Sequence, residues 1–110
     1  MAQVPTVTSM EVAPMDLSAS LHRKTDLNGK VCGLVKVQLA LNNVKFEGNV
    51  IGESEYKTGE YWVFMTDGSY ELHIKHQDYL PLEINFQDYG VNGVASLSTY
   101  KLRELYTCWQ

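Results

Sequence analysis

Residues 61–86, Tyr-Trp-Val-Phe-Met-Thr-Asp-Gly-Ser-Tyr-Glu-Leu-His-Ile-Lys-His-Gln-Asp-Tyr-Leu-Pro-Leu-Glu-Ile-Asn-Phe, decide the fold class. They read as three strands separated by two turns. Asp67-Gly68 lies between runs rich in β-branched and aromatic residues. That is a local hairpin signal, because Gly accepts positive φ and Asp tolerates it. Gln77-Asp78 marks a second reversal. Beyond it Leu82, Ile84 and Phe86 alternate with Glu83 and Asn85, the period of a strand with one buried and one wet face.

Working outward, Val31 to Leu41 repeats the strand pattern. Val35, Val37, Leu39 and Leu41 share one parity while Lys36 and Gln38 occupy the other, which predicts a half-buried strand. It follows a polar loop, His22 to Lys30, with the turn dipeptide Asn28-Gly29. Residues 11–21 are expected to run extended rather than as one helical turn capped by Asp16. Pro14 is poorly placed in a helix, and three of Val12, Leu17, Ala19 and Leu21 share parity. Residues 1–10, with Val4, Thr6 and Thr8 alternating, suit a tail or an edge strand.

On the other side, Asn42-Asn43 makes a turn. Val44-Lys45-Phe46 and Val50-Ile51 then flank Glu47-Gly48-Asn49, which predicts a tight hairpin with Gly48 left-handed. Residues 53–60 are polar enough for a connection. After Phe86 comes a loop with Gly90 and Gly93, then a last strand in which Tyr100 and Leu102 oppose Thr99, Lys101 and Arg103. Residues 104–110 have no assignable period and read as a C-terminal tail. No long stretch carries a helical apolar period. The expected architecture is all-β, an antiparallel β-sandwich of about seven short strands over residues 11–103.

The 110 residues suit one domain with one core, and 45% hydrophobic with 20% charged residues is a globular composition. A formal charge of −4 repels a phosphate backbone unless basic residues cluster. The one cluster, His22-Arg23-Lys24, stands near Asp26 and reads as a solvated loop, so no nucleic-acid partner is expected. No apolar run approaches the ~20 residues of a membrane span. Cys32 and Cys108 allow one disulfide. Cys32 inside an apolar strand pattern and Cys108 near the end favour two unpaired thiols.

His73, His76 and Asp78 form the one tight group of metal-ligand types. Residues 73 and 76 of a strand point to opposite faces, so no metal site is expected. No nucleophile-elbow or Cys-His signature is present, and carboxylate pairs such as Glu53 and Glu55, or Glu11 and Asp16, read as charged loops. No catalytic residue and no cofactor is assigned. Aromatic side chains at turns and strand ends, Tyr56, Tyr61, Trp62, Tyr79 and Tyr89, with Tyr70 nearby, are the candidate partner or sugar contacts.

Val44-Lys-Phe-Glu-Gly-Asn-Val-Ile-Gly52, followed by Gly68-Ser-Tyr-Glu-Leu-His-Ile-Lys-His-Gln-Asp-Tyr79, resembles the PEGA-type repeat domain. Asp26-Leu-Asn-Gly-Lys-Val-Cys-Gly-Leu-Val-Lys-Val37, with Ile74 to Leu82 and Asp88-Tyr-Gly90, is similar to the N-terminal β-sandwich of secreted Bacteroidetes proteins. The resemblance covers residues 11–103 and implies a transthyretin-like or carboxypeptidase-regulatory-like layout. It implies export to the periplasm or cell surface after removal of a signal peptide, and a start Met-Ala-Gln-Val-Pro suits an initiator Met before such a mature end. It implies no catalysis. The expected function is a non-enzymatic interaction or spacer module that binds a protein or cell-envelope component. A carbohydrate-binding module using the loop aromatics is the alternative, and a small metal-dependent enzyme using His73 and His76 is third. Strand edges allow an edge-to-edge dimer.

Overall fold

The computed structural model describes residues 4–7, 9–13, 15–39, 43–57, 59–77, 79–103 and 105–108, with side chains described within 7–103. In chain order the elements are β1 (Val4–Val7), β2 (Met10–Ala13), α1 (Ser18–Leu21), β3 (Gly33–Gln38), β4 (Lys45–Gly48), β5 (Glu55–Lys57), β6 (Glu60–Met65), β7 (Glu71–His76), β8 (Tyr79–Asn85), a 3-10 turn (Phe86–Tyr89), β9 (Thr99–Leu102) and β10 (Leu105–Cys108). They build a five-stranded sheet β2-β9-β3-β6-β5, a three-stranded sheet β4-β7-β8 and a two-stranded ribbon β1-β10. The fold is all-β and sandwich-like, as the alternating patterns predict.

The main core lies between the two larger sheets. Val35, Val37, Val63 and Met65 of one meet Leu72, Ile74 and Ile84 of the other, joined by Phe86, Tyr100 and Leu102. Each fully buried aliphatic or aromatic side chain here contributes about 1.5–3 kcal/mol through loss of apolar contact with water. A smaller cluster of Ala19, Cys32, Leu34 and Phe64 fills the outer face of the five-stranded sheet. β3 is therefore buried on both faces rather than half-buried, and even Lys36 is only 7% exposed. Alternation misled there because α1 and its flanks cover the face that Lys36 shares. Leu41, the end of the expected strand, lies outside the described residues.

Two expected hairpins are crossovers. β6 and β7 flank Asp67-Gly68 but belong to different sheets. Gly68 has φ +86°, and its N–H bonds Val94 O at 2.6 Å, while Asp67 Oδ1 accepts Ser96 N–H at 2.9 Å. Likewise β4 pairs with β7, whereas Val50 bridges to Met65 in the opposite sheet. Gly48 does take positive φ, +121°. A Gly turn sets a reversal; which sheet the next strand joins is decided by burial, and each of these strands has an apolar face that needs the other sheet.

The β7–β8 hairpin at Gln77 forms as expected, with His76 opposite Tyr79 and a register shift after Ile74, while Asp78 lies outside the described residues. Asn28-Gly29 also turns as read, closed by Asp26 N–H to Lys30 O at 2.8 Å. Other corrections are local. Residues 18–21 form α1 instead of continuing extended, and Pro14 lies outside the described residues. Residues 55–57, expected as connection, pair with β6. Residues 105–108, expected as tail, pair with β1, where Val4 faces Cys108 and Val7 faces Leu105. The described strands number ten rather than about seven. β3 and β9 run parallel, an exception to the antiparallel expectation, because a long connection separates them.

Gly33 is required by space, not by backbone angle. A Cβ there would lie 2.0 Å from Val94 Cγ1 and 2.4 Å from the backbone oxygen of Ala95. β3 is fixed between β6 and β9, so the clash has no easy relief. Gly33→Ala is expected to destabilise by about 3 kcal/mol, seen as a lower urea midpoint at unchanged slope.

Candidate functional site

The outer face of the five-stranded sheet holds a connected group of polar side chains, Asp16, Ser18 and Lys36. After β2, Asp16 N–H bonds Ala13 O at 3.1 Å and turns the chain toward α1. Asp16 Oδ1 then accepts the Ser18 N–H at 2.9 Å and the Ser18 hydroxyl at 2.6 Å, satisfying one of the N–H groups that a helical turn leaves unpaired. Lys36 reaches up from the middle of β3. Its Nζ donates to Asp16 Oδ2 at 2.5 Å and to Ser18 Oγ at 2.7 Å.

Beneath this clamp lies Trp62, directly opposite Lys36 in the β3–β6 register. Lys36 Nζ is 4.6 Å and Lys57 Nζ 3.9 Å from the indole centroid, and the His22 ring meets it edge-on at 5.2 Å. The indole N–H donates to Glu60 at 2.9 Å. Burial by itself raises the Asp16 carboxyl, but hydrogen bonds from Lys36 and Ser18, with the Lys36 charge, outweigh it and hold the group at about 2. A general base works best with a pKa near the operating pH, and at about 2 Asp16 is a poor one. The Ser18 hydroxyl donates a hydrogen bond to that carboxylate and accepts one from Lys36, so the three groups satisfy one another as a closed clamp.

The clamp holds out an apolar ridge. Met15 is 90% exposed, Leu17 64% and Leu21 75%, all on the segment that Asp16 and Ser18 fasten to the sheet. Single exposed apolar residues are ordinary; three this exposed within one seven-residue stretch concentrate them.

A second feature is the open side of the sandwich, between edge strands β4 and β5. Phe46 and Tyr61 rings stand 5.3 Å apart, and Tyr56 meets Tyr61 at 4.8 Å, with Tyr56 half-exposed. Burial raises the Tyr61 phenol. Beside them runs a groove of about 380 Å³ lined by Val44, Lys45, Phe46, Glu47 and the Gly52-Glu53-Ser54 bulge.

Of the five aromatic candidates, the structure brings Tyr56 and Tyr61 together and puts Trp62 on the opposite face of their sheet. Tyr79 packs on His76 at the β7–β8 turn, 5.1 Å between rings, and Tyr89 sits exposed in the 3-10 turn. His73 lies 3.8 Å from Glu71 on β7. Among the described residues no three metal-ligand types gather, and Asp78 lies outside them. Cys32 is a buried free thiol, pushed up by burial and by Asp26, which disfavours the nucleophilic thiolate. The Cys108 side chain lies outside the described residues.

Comparison with protein-family models, with curated proteins and with solved structures finds no match. Sequence reasoning missed the Asp16–Ser18–Lys36 clamp because its partners lie 18 and 20 positions apart. One signal was available: a lysine between Val35 and Val37 in an otherwise apolar run.

Proposed function

We propose that the protein is a non-enzymatic, exported interaction module of the bacterial cell envelope that binds another protein. The observation that carries this reading is the ridge of Met15, Leu17 and Leu21, held out by a buried ion pair. Apolar side chains fixed in water are costly to a protein that makes no use of them, and a partner removes that cost. The mutual satisfaction of Asp16, Ser18 and Lys36 supports a structural role for the most reactive-looking group. Export rests on the resemblance of residues 11–103 to secreted PEGA-type sandwiches.

The carbohydrate reading draws on Tyr56, 51% exposed beside the groove. Trp62 favours it less, because a sugar stacking on the indole has to displace Lys57. The test is capture from cell-envelope extract by the folded protein and by a Leu17→Asp/Leu21→Asp variant. A protein retained at least tenfold better by the unsubstituted chain is expected. Equal capture by both counts against the ridge, and retention of polysaccharide that Tyr56→Ala abolishes moves the assignment to the glycan module.

A further inference from the structure

We infer that the β4 edge is a self-association site, at which two copies of this chain pair antiparallel with Phe46 opposite Phe46 of the second copy. β4 ends the three-stranded sheet, and a groove of about 380 Å³ lies along it, with Gly52, Glu53 and Ser54 of the same chain as its far wall. An added strand runs about 4.8 Å from its neighbour, beside such an edge. Two other edges, β8 and β5, are less suited. β8 carries Pro81, which has no N–H to give, and β5 is three residues long.

The occupant follows from charge. Within the chain Lys45 lies directly opposite Lys75, a like-charge pair, and Glu47 opposite His73. Glu47 reaches diagonally to Lys75 at 3.1 Å, which leaves Lys45 with no ion-pair partner among the described residues. An edge lysine alone repels other edges; here a glutamate two positions along the same face reverses that effect. With Phe46 at the centre of a two-fold axis, Lys45 of each copy lies opposite Glu47 of the other, on one face and at the separation of a directly opposed pair. Glu47 then lies between Lys75 of its own chain, reached diagonally, and Lys45 of the second copy, directly opposite, and the same holds across the two-fold axis. On the inner face the two Phe46 rings meet, beside Tyr61 and half-exposed Tyr56. Gly48, at φ +121°, ends the ladder. A contact of three residues from each copy, Lys45 to Glu47, makes a weak, concentration-dependent pair. It uses a different sheet from the Met15–Leu21 ridge, so either surface can fail without the other.

Sedimentation equilibrium over a range of concentrations tests it. The unsubstituted chain is expected to move from 12.5 kDa toward twice that mass, less so as salt is raised. Lys45→Glu and Glu47→Lys should each stay at the mass of one chain, since each sets like charges opposite one another. Their 1:1 mixture should pair, and so should the chain carrying both changes. Lys45 and Glu47 are exposed, so a cooperative urea transition will show that each variant is folded. An unsubstituted chain that stays single throughout overturns the inference, as do single variants that associate like the parent.

Discussion

Asp16→Ala is expected to lower folding stability by about 3–5 kcal/mol, the usual result of removing one partner from a buried ion pair. The Lys36 side chain is 9% exposed and that of Asp16 18%, so the stranded ammonium has little water to turn to. Ser18 remains within reach but is neutral. If the loss comes from an uncompensated charge, adding Lys36→Met should recover much of it, and a double-mutant cycle measures how much. A loss below 1 kcal/mol, or no recovery in the double variant, would make the clamp incidental.

The same carboxylate sets an acid limb. Its pKa is depressed from 3.8 to about 2 in the folded chain, so its stabilisation is fully present above pH 4 and lost as pH falls through 2. A depression of that size is worth about 2 kcal/mol. The substitution costs more than the titration because it also removes the acceptor for the Ser18 N–H and hydroxyl. Urea unfolding at neutral pH and at pH 2.5 should show a smaller difference for Asp16→Ala than for the parent.

Phe86→Ala is expected to cost a similar amount, about 3–5 kcal/mol, through lost transfer energy and the cavity left behind. Phe86 is fully buried where β8 gives way to the 3-10 turn, and its ring stacks on Tyr100 with centroids 6.5 Å apart. Its N–H bonds Tyr70 O at 2.7 Å and its carbonyl accepts Val91 N–H at 3.0 Å. The residue thus joins the three-stranded sheet to β9 of the other. Phe86→Leu, which keeps most of the volume, should cost far less; equal losses in thermal unfolding would point to the backbone rather than the ring.

These two residues mark how far the sequence could be read. Phe86 was legible as core from its alternation with Asn85, because a strand's period depends only on neighbours. The turns at Asn28-Gly29 and Gln77 were legible for the same reason. Asp67-Gly68 and Gly48 were half legible: each marks a reversal, but the choice between pairing in one sheet and crossing to another depends on which apolar faces are already covered. Lys36 was misread as wet because the segment that covers it lies earlier in the chain. Of the aromatic candidates, the Tyr56–Tyr61 contact follows from the β5–β6 pairing, which a run as polar as residues 53–60 conceals.

The β1–β10 ribbon bears on how this unit meets a pull. Val4 lies opposite Cys108 and Val7 opposite Leu105, so the first and last described strands run side by side. Tension that drew Val4 and Cys108 apart would unzip the ribbon one pair at a time, since these two residues lie opposite each other at its outer end.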